Sequence, residues 1–151
     1  MSFDANLPPL QAHICVKGGD AAIAFYEQAF AARCPFLQRA EDGRRVLHAN
    51  IEMFGGEVML HDEFPEFGDE VLSPLTRGGA SMTINVNLRA PAEVDAMVVR
   101  AEGAGATVTM AAADMFWGSR YARVRDPFGH VWAFNAALNT AGARENVGPV
   151  E

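Results

Sequence analysis

The sequence predicts an α+β protein built from two βαβββ half-modules, residues 10–62 and 81–137, joined by a segment at 63–80. Two observations carry this. Short runs in which apolar and polar residues alternate read as strands, and one helical apolar stripe follows the first such run in each half. The order strand, helix, strand, strand, strand then occurs twice, and internal repetition of a supersecondary unit is a direct pointer to architecture. A length of 151 residues suits a single domain with its own core.

In the first half, residues 12–17 alternate, with Ile14 and Val16 on one face and His13, Cys15 and Lys17 on the other. Gly18-Gly19 breaks the strand, and Asp20 is placed to accept a first-turn N–H as a helix N-cap. Residues 21–32 carry the stripe Ile23, Tyr26, Phe30, with Phe25 alongside. A second strand lies within 34–39 and ends at the turn Glu41-Asp42-Gly43. The third spans 44–53 and the fourth 57–61, with Gly55-Gly56 as a two-residue hairpin turn between them. Segment 63–80, rich in Pro, Gly and acidic residues, is a linker long enough to act as an arm or lid.

The second half begins with alternation over 82–88: Met82, Ile84, Val86 and Leu88 against Thr83, Asn85 and Asn87. A helix over 91–102 has Pro91 in its first turn and the stripe Val94, Met97, Val98, Ala101, and ends at Gly103 to Ala106. Strands at 107–110, 121–125 and 130–135 follow, with Asp126-Pro127-Phe128-Gly129 as the last turn and a small, polar tail after Ala137 that is expected to fray. Laying Gly56 on Gly129 sets His48 on Tyr121, Asn50 on Arg123 and Glu52 on Arg125. Laying Ile14 on Ile84 sets His13 on Thr83.

Composition narrows the function. A net charge of −7 argues against nucleic acid, which needs a basic stripe to neutralise phosphates. The local arginines Arg120, Arg123 and Arg125 fit an anion site better than a polyanion groove. No apolar run approaches the roughly 20 residues of a membrane span, and residues 1–11 lack the basic and apolar regions of a signal peptide. Cys15 and Cys34 form no C-x-x-C pair and read as free thiols in a reducing, cytoplasmic compartment, most simply as small buried hydrophobes.

The helix opening Asp20-Ala21-Ala22-Ile23-Ala24-Phe25-Tyr26, the run Gly103 to Ala106, and Arg125-Asp126-Pro127-Phe128-Gly129-His130-Val131-Trp132 resemble the vicinal-oxygen-chelate superfamily. This group includes glyoxalase I, extradiol dioxygenases and the bleomycin- and fosfomycin-resistance proteins. Trp117-Gly118-Ser119-Arg120-Tyr121 resembles its PhnB-like subgroup, and the likeness covers about residues 10–137. The resemblance implies a curled mixed sheet around a small-molecule cavity, helices on the convex side, and a homodimer. It also implies four metal ligands, on the first and last strand of each half. The overlay puts these at His13, Thr83, Leu60 and Ala133, and only His13 is a good donor. The usual metal centre is therefore not expected, and no cofactor is assigned. The alternative is a divalent metal held by an atypical set such as His13, His48 and Glu52.

Strand alternation on that fold assigns the cavity lining. His13, His48, Asn50, Thr83, Asn85, Tyr121 and Arg123 point inward, and Trp117 with Phe116 is placed to stack on a planar ligand or to rim a dimer contact. The same polar faces would also suit plain solvent exposure. Glu52 and Arg125, at matching places, would pair with each other; His61 falls beside the helix face, and His130 bonds within its turn. Three readings follow: a small-molecule binding protein of the resistance type, a metal-dependent lyase, isomerase or dioxygenase using His13, and an assembly module dimerising through 63–80.

Overall fold

A computed structural model describes residues 1–138. The tail expected to fray lies beyond Leu138 and so outside the described residues. The chain forms two compact units: Met1–Ser81 with Pro127–His130, and Met82–Asp126 with the strand that starts at Val131. Each unit holds one four-stranded mixed sheet, so the predicted mixed sheet is two separate sheets.

The first unit runs β1 (His13–Val16), α1 (Gly19–Phe30), β2 (Arg33–Arg39), β3 (Val46–Met53) and β4 (Gly56–Asp62). A single 3-10 turn (Pro65–Phe67) and a short helix α2 (Pro74–Arg77) follow, so the predicted linker carries structure of its own. The sheet order is β1-β4-β3-β2, with β1 parallel to β4 and the other pairs antiparallel. The alternation read from sequence holds through β1 and the centre of β3, whereas on β4 it is Leu60, not His61, that turns inward. Ile14, Val16, Ala49, Ile51, Val58 and Leu60 are buried beneath α1, whose own Ile23, Phe25, Tyr26 and Phe30 are also buried. Leu47 departs from it. A register irregularity between Gln38 and Arg39 turns Val46 inward and leaves Leu47 exposed.

Helix α1 is not capped by Asp20. Asp20 lies in the first turn and pairs instead with Arg39 of β2 at 3.0 Å. The cap comes from the far end of β4. The buried Asp62 carboxylate accepts the N–H groups of Gly18 (2.9 Å) and Gly19 (2.8 Å) through one oxygen and that of Val46 (2.7 Å) through the other. A Cβ on Gly19 would stand 2.7 Å from both Asp62 Oδ2 and Val46 Cγ2, so glycine is needed there for room.

The segment after β4 is held down by two charged groups. Glu63 accepts hydrogen bonds from Ser73 and Thr76 at the start of α2. Against burial, which would raise it, these bonds hold the Glu63 carboxyl below its ordinary pKa. Arg45 reaches Asp42, Glu66 and the Glu63 carbonyl, and its guanidinium lies 4.4 Å over the Phe64 ring. Phe128 of the Asp-Pro-Phe-Gly loop packs against Phe25 and Tyr26, and His130 Nε2 bonds the Cys15 carbonyl at 2.7 Å. His130 Nε2 thus bonds a residue far away in the chain.

The second unit runs β5 (Thr83–Asn87), α3 (Pro91–Ala104), β6 (Thr107–Asp114), β7 (Ser119–Arg125) and β8 (Val131–Ala137). Its order, β5-β8-β7-β6 with β5 parallel to β8, repeats the first. Trp132, Phe134, Val124 and Ala122 are buried with Val94 and Ala101 of α3. Asp126, also buried, accepts the Trp132 indole N–H at 2.9 Å and so fixes the loop entry. No helix among the described residues is long and apolar enough to cross a membrane.

Asp62→Ala would leave three N–H groups without their acceptor, two of them buried. It is expected to lower the unfolding free energy by about 3 kcal/mol or more in urea denaturation. Gly19→Ala is expected to destabilise as well, through the clash with Val46, whereas Asp20→Ala should cost far less than Asp62→Ala because its ion pair is exposed.

Candidate functional site

Pairing register decides which side chains share a face. In the first unit β1 runs beside β4 with His13 opposite Met59 and Cys15 opposite His61, and β3 runs beside β4 with Asn50 opposite Met59 and Glu52 opposite Glu57. Residues directly opposite in a sheet point to the same side. The face away from α1 therefore carries His13, His48, Asn50, Glu57 and His61.

This corrects the placement of His61 beside the helix. The turn between β3 and β4 is Phe54-Gly55, with φ of 52° and 73°, and Gly56 is already paired in the ladder with Met53. The corresponding glycine of the second half, Gly129, sits in a five-residue loop with φ of 90°. Overlaying Gly56 on Gly129 is thus out of register, and an odd slip along a strand exchanges its two faces. Matched through the parallel pairs instead, Leu60 corresponds to the core residue Trp132, and His61 corresponds to Ala133. By the same matching His48 corresponds to Arg123, not Tyr121. The alternation of Glu57, Met59 and His61 against Val58 and Leu60 was a sufficient signal for this face.

The three histidines of the first unit gather. The ring centroid of His13 is 4.8 Å from that of His61 and 5.5 Å from that of His48. Burial, and then the neighbouring His61 and His48 imidazoles, hold His13 below the usual histidine pKa. His48 Nε2 bonds Asn50 Oδ1 at 2.8 Å, and the Asn50 amide donates to Glu57, which also accepts from Gln11. Glu57 and Gln11 were not singled out from sequence. Glu52 does not join this group; it lies 3.4 Å from Arg33 across the strand pair, both largely exposed. Arg33, not Arg125, is the ion-pair partner it takes.

In the second unit Thr83, Asn85 and Asn87 of β5 share a face with Tyr121, Arg123 and Arg125 of β7. Arg123 Nε donates to the Tyr121 hydroxyl at 2.8 Å, with its guanidinium 5.6 Å from the Tyr121 ring centroid. Trp117 meets Tyr121 edge-on at 5.4 Å, and Phe116 meets Trp117 at 5.1 Å. Aromatic and guanidinium groups thus form one continuous run. Asn85 donates to Asn87 at 3.0 Å. Arg120 stands apart from the proposed anion group, committed to Asp95 of α3 and Asp114 of β6 at 2.8 and 2.9 Å.

The fold and these faces define a glyoxalase-type protein, and the comparisons agree. The family model Glyoxalase/Bleomycin resistance protein/Dioxygenase superfamily matches residues 9–134, and the chain belongs to that superfamily. It is 40% identical over 139 residues to the uncharacterized protein Mb0911c of Mycobacterium bovis, covering 91% of this chain and 89% of that one. Among the solved structures that share the fold are two of named families. One is the PhnB protein of Bacillus cereus, described as a putative 3-demethylubiquinone-9 3-methyltransferase (TM-score 0.65, 16% identity, 86% of this chain and 100% of that one). The other is a point mutant of the fosfomycin resistance protein FosX of Listeria monocytogenes, complexed with Mn(II) and a dihydroxypropylphosphonic acid (TM-score 0.63, 14% identity, 89% and 91%).

The corrected register changes the test for the superfamily's metal. Its ligand positions fall on His13, His61, Thr83 and Ala133, two imidazoles where the overlay found one. Ala133 carries no donor and Thr83 only a neutral hydroxyl, so the two-per-half ligand set does not fit this chain.

Cys15 is buried, and burial, then the Glu63 and Asp62 carboxylates, push its thiol up to about 11. Cys34 is only partly buried. Burial, then the Glu27 carboxylate, raise the Cys34 thiol as well, so at pH 8 the native protein is expected to take up a single equivalent of a thiol reagent slowly, at Cys34, with Cys15 reacting only on unfolding. Peptide mapping after timed alkylation checks this.

Proposed function

We propose that the protein binds a small molecule carrying a planar or aromatic part and an anionic or strongly hydrogen-bonding group, in the manner of the resistance-type members of its superfamily. The observation that carries this is the Phe116–Trp117–Tyr121–Arg123 run on the polar face of the second sheet. Rings offer a stacking surface, and Arg123, held by the Tyr121 hydroxyl, presents its remaining N–H donors in a fixed plane suited to carboxylate or phosphonate. Asn85 and Thr83 add neutral polar groups on the same face, and His13, His48 and Asn50 do so in the first unit. The phosphonate in the FosX complex is a ligand of the same general chemistry. The segment Trp117 to Tyr121 and the PhnB fold neighbour support a place in the PhnB-like subgroup, and the protein acting as a cytoplasmic homodimer is part of the same reading.

The second reading, a metal-dependent lyase, isomerase or dioxygenase, gains support from His61 beside His13 and loses Glu52 as a ligand.

A thermal-shift screen of aromatic acids, phosphonates and antibiotic-like compounds, run in chelator, is expected to yield ligands that bind wild type and lose affinity about tenfold or more in Arg123→Ala. Tyr121→Phe should weaken them less, by removing only the hydroxyl that orients the guanidinium. Ligands bound equally by wild type, Arg123→Ala and Trp117→Ala would overturn the assignment.

A further inference from the structure

We propose that the polar face of the second sheet selects an aromatic zwitterion, a compound with an ammonium group at one end of an aromatic ring and a carboxylate or phosphonate at the other. This rests on the small-molecule reading above and adds to it the ligand's second pole and the distance between the poles.

Amide orientation is the first argument. Asn87 Oδ1 accepts from Asn85 Nδ2 at 3.0 Å and from Asn135 Nδ2 at 3.4 Å. An amide oxygen has two lone pairs, so both are taken, and both neighbouring amides turn their nitrogens toward that one atom. Asn85 and Asn135 are each left with a side-chain oxygen that, among the described residues, accepts no hydrogen bond. The β5 and β8 side of the face therefore offers acceptors. The β7 side offers donors. Arg123 Nε is engaged by the Tyr121 hydroxyl, and the two terminal guanidinium nitrogens have no partner among the described residues. One side of the face calls for a donor and the other for an anion. An ammonium carries three N–H groups, enough for both free oxygens.

Register is the second argument. Asn85 lies opposite Ala133 of β8, and Ala133 lies opposite Arg123 of β7. Neighbouring strands are about 4.8 Å apart, so the Asn85 and Arg123 backbones are separated by roughly 10 Å. The Ala133 side chain is too short to bridge that interval. In the next row Asn135 stands between Asn87 and Tyr121, which brings its free oxygen and the phenol ring alongside. An α-amino acid, with ammonium and carboxylate on one carbon, is too short to meet both poles. A ring with its charged groups at opposite ends spans them and lies against Tyr121 and Trp117, whose centroids are 5.4 Å apart.

Net charge is the third argument. At −7 the chain repels a net anion at long range. A zwitterion carries no net charge, and its anionic end is still met locally by Arg123.

The test titrates isotope-labelled protein, in chelator, with four related probes and follows the amide resonances. The probes are 4-(aminomethyl)benzoate, benzoate, terephthalate and benzylamine. The aminomethyl compound is expected to bind about tenfold or more tightly than each of the others, with shifts centred on residues 83–87, 121–123 and 131–135. Its advantage over benzoate should shrink at least threefold in Asn85→Ala and in Asn135→Ala, and persist in Asn85→Asp, which keeps an acceptor in place. Terephthalate or benzylamine binding as tightly as the aminomethyl compound would overturn the inference. So would an advantage that survives both alanine substitutions, or one lost in Asn85→Asp as fully as in Asn85→Ala. The same spectra report whether each variant is folded, and if one is not, the ranking of the four probes on wild type decides. Binding that needs Arg123 but shows no preference for the ammonium overturns this inference and leaves the small-molecule reading standing. Binding of none of the four overturns it too, and the broader screen then decides the small-molecule reading by itself.

Discussion

The carboxylate of Asp62 is the interaction on which the first unit depends. It sits at the last residue of β4, yet it accepts from both ends of the crossing between β1 and α1 and from the first residue of β3. A parallel pair such as β1 and β4 needs a long crossover, and here the entry to that crossover is secured by the strand it leads back to. Because His61 precedes Asp62, fixing the end of β4 also fixes the register that brings His61 beside His13. Capping, strand register and the composition of the polar face are thus consequences of one buried charge and of the absence of a side chain at Gly19.

Much of this was legible in the sequence, and the rest was not for identifiable reasons. The two-fold repeat and the central core pattern follow from alternation and from helical stripes, which are local properties of the chain. Ile14, Ala49, Ile51, Trp132 and Phe134 all fall where alternation puts them. Asp62 was illegible as a cap because its partners lie 43 and 44 residues away. Asp20, next to the helix start, offered the obvious local solution and was drawn off by Arg39. Two adjacent glycines at the β3–β4 turn left open which one would take the left-handed position, and Phe54, a residue that seldom adopts positive φ, shares that turn with Gly55. One residue of uncertainty there exchanged Leu60 for His61.

The two polar faces differ in character although their scaffolds match. The first carries imidazoles with a carboxylate and amides behind them; the second carries indole, phenol, guanidinium and amides. The duplicate scaffolds diverge on the outward face and stay alike, and apolar, on the inward one. Glu52 and Arg120 look like members of these faces by residue type, but their ion pairs with Arg33 and with Asp95 and Asp114 commit them to structure. Chemical type alone does not assign a role; the partner does.

The loop Pro127–His130 belongs by packing to the first unit, although it joins two strands of the second. Phe128 covers the aromatic side of α1, and Gly129 passes so close to Pro74 that a Cβ would stand 2.7 Å from it. The repeat boundary in the gene and the folding boundary in the protein therefore do not coincide. A fragment cut at residue 81 would retain every strand of the first sheet and still leave part of its core open to water. The first unit is thus completed by four residues that the sequence repeat assigns to the second half.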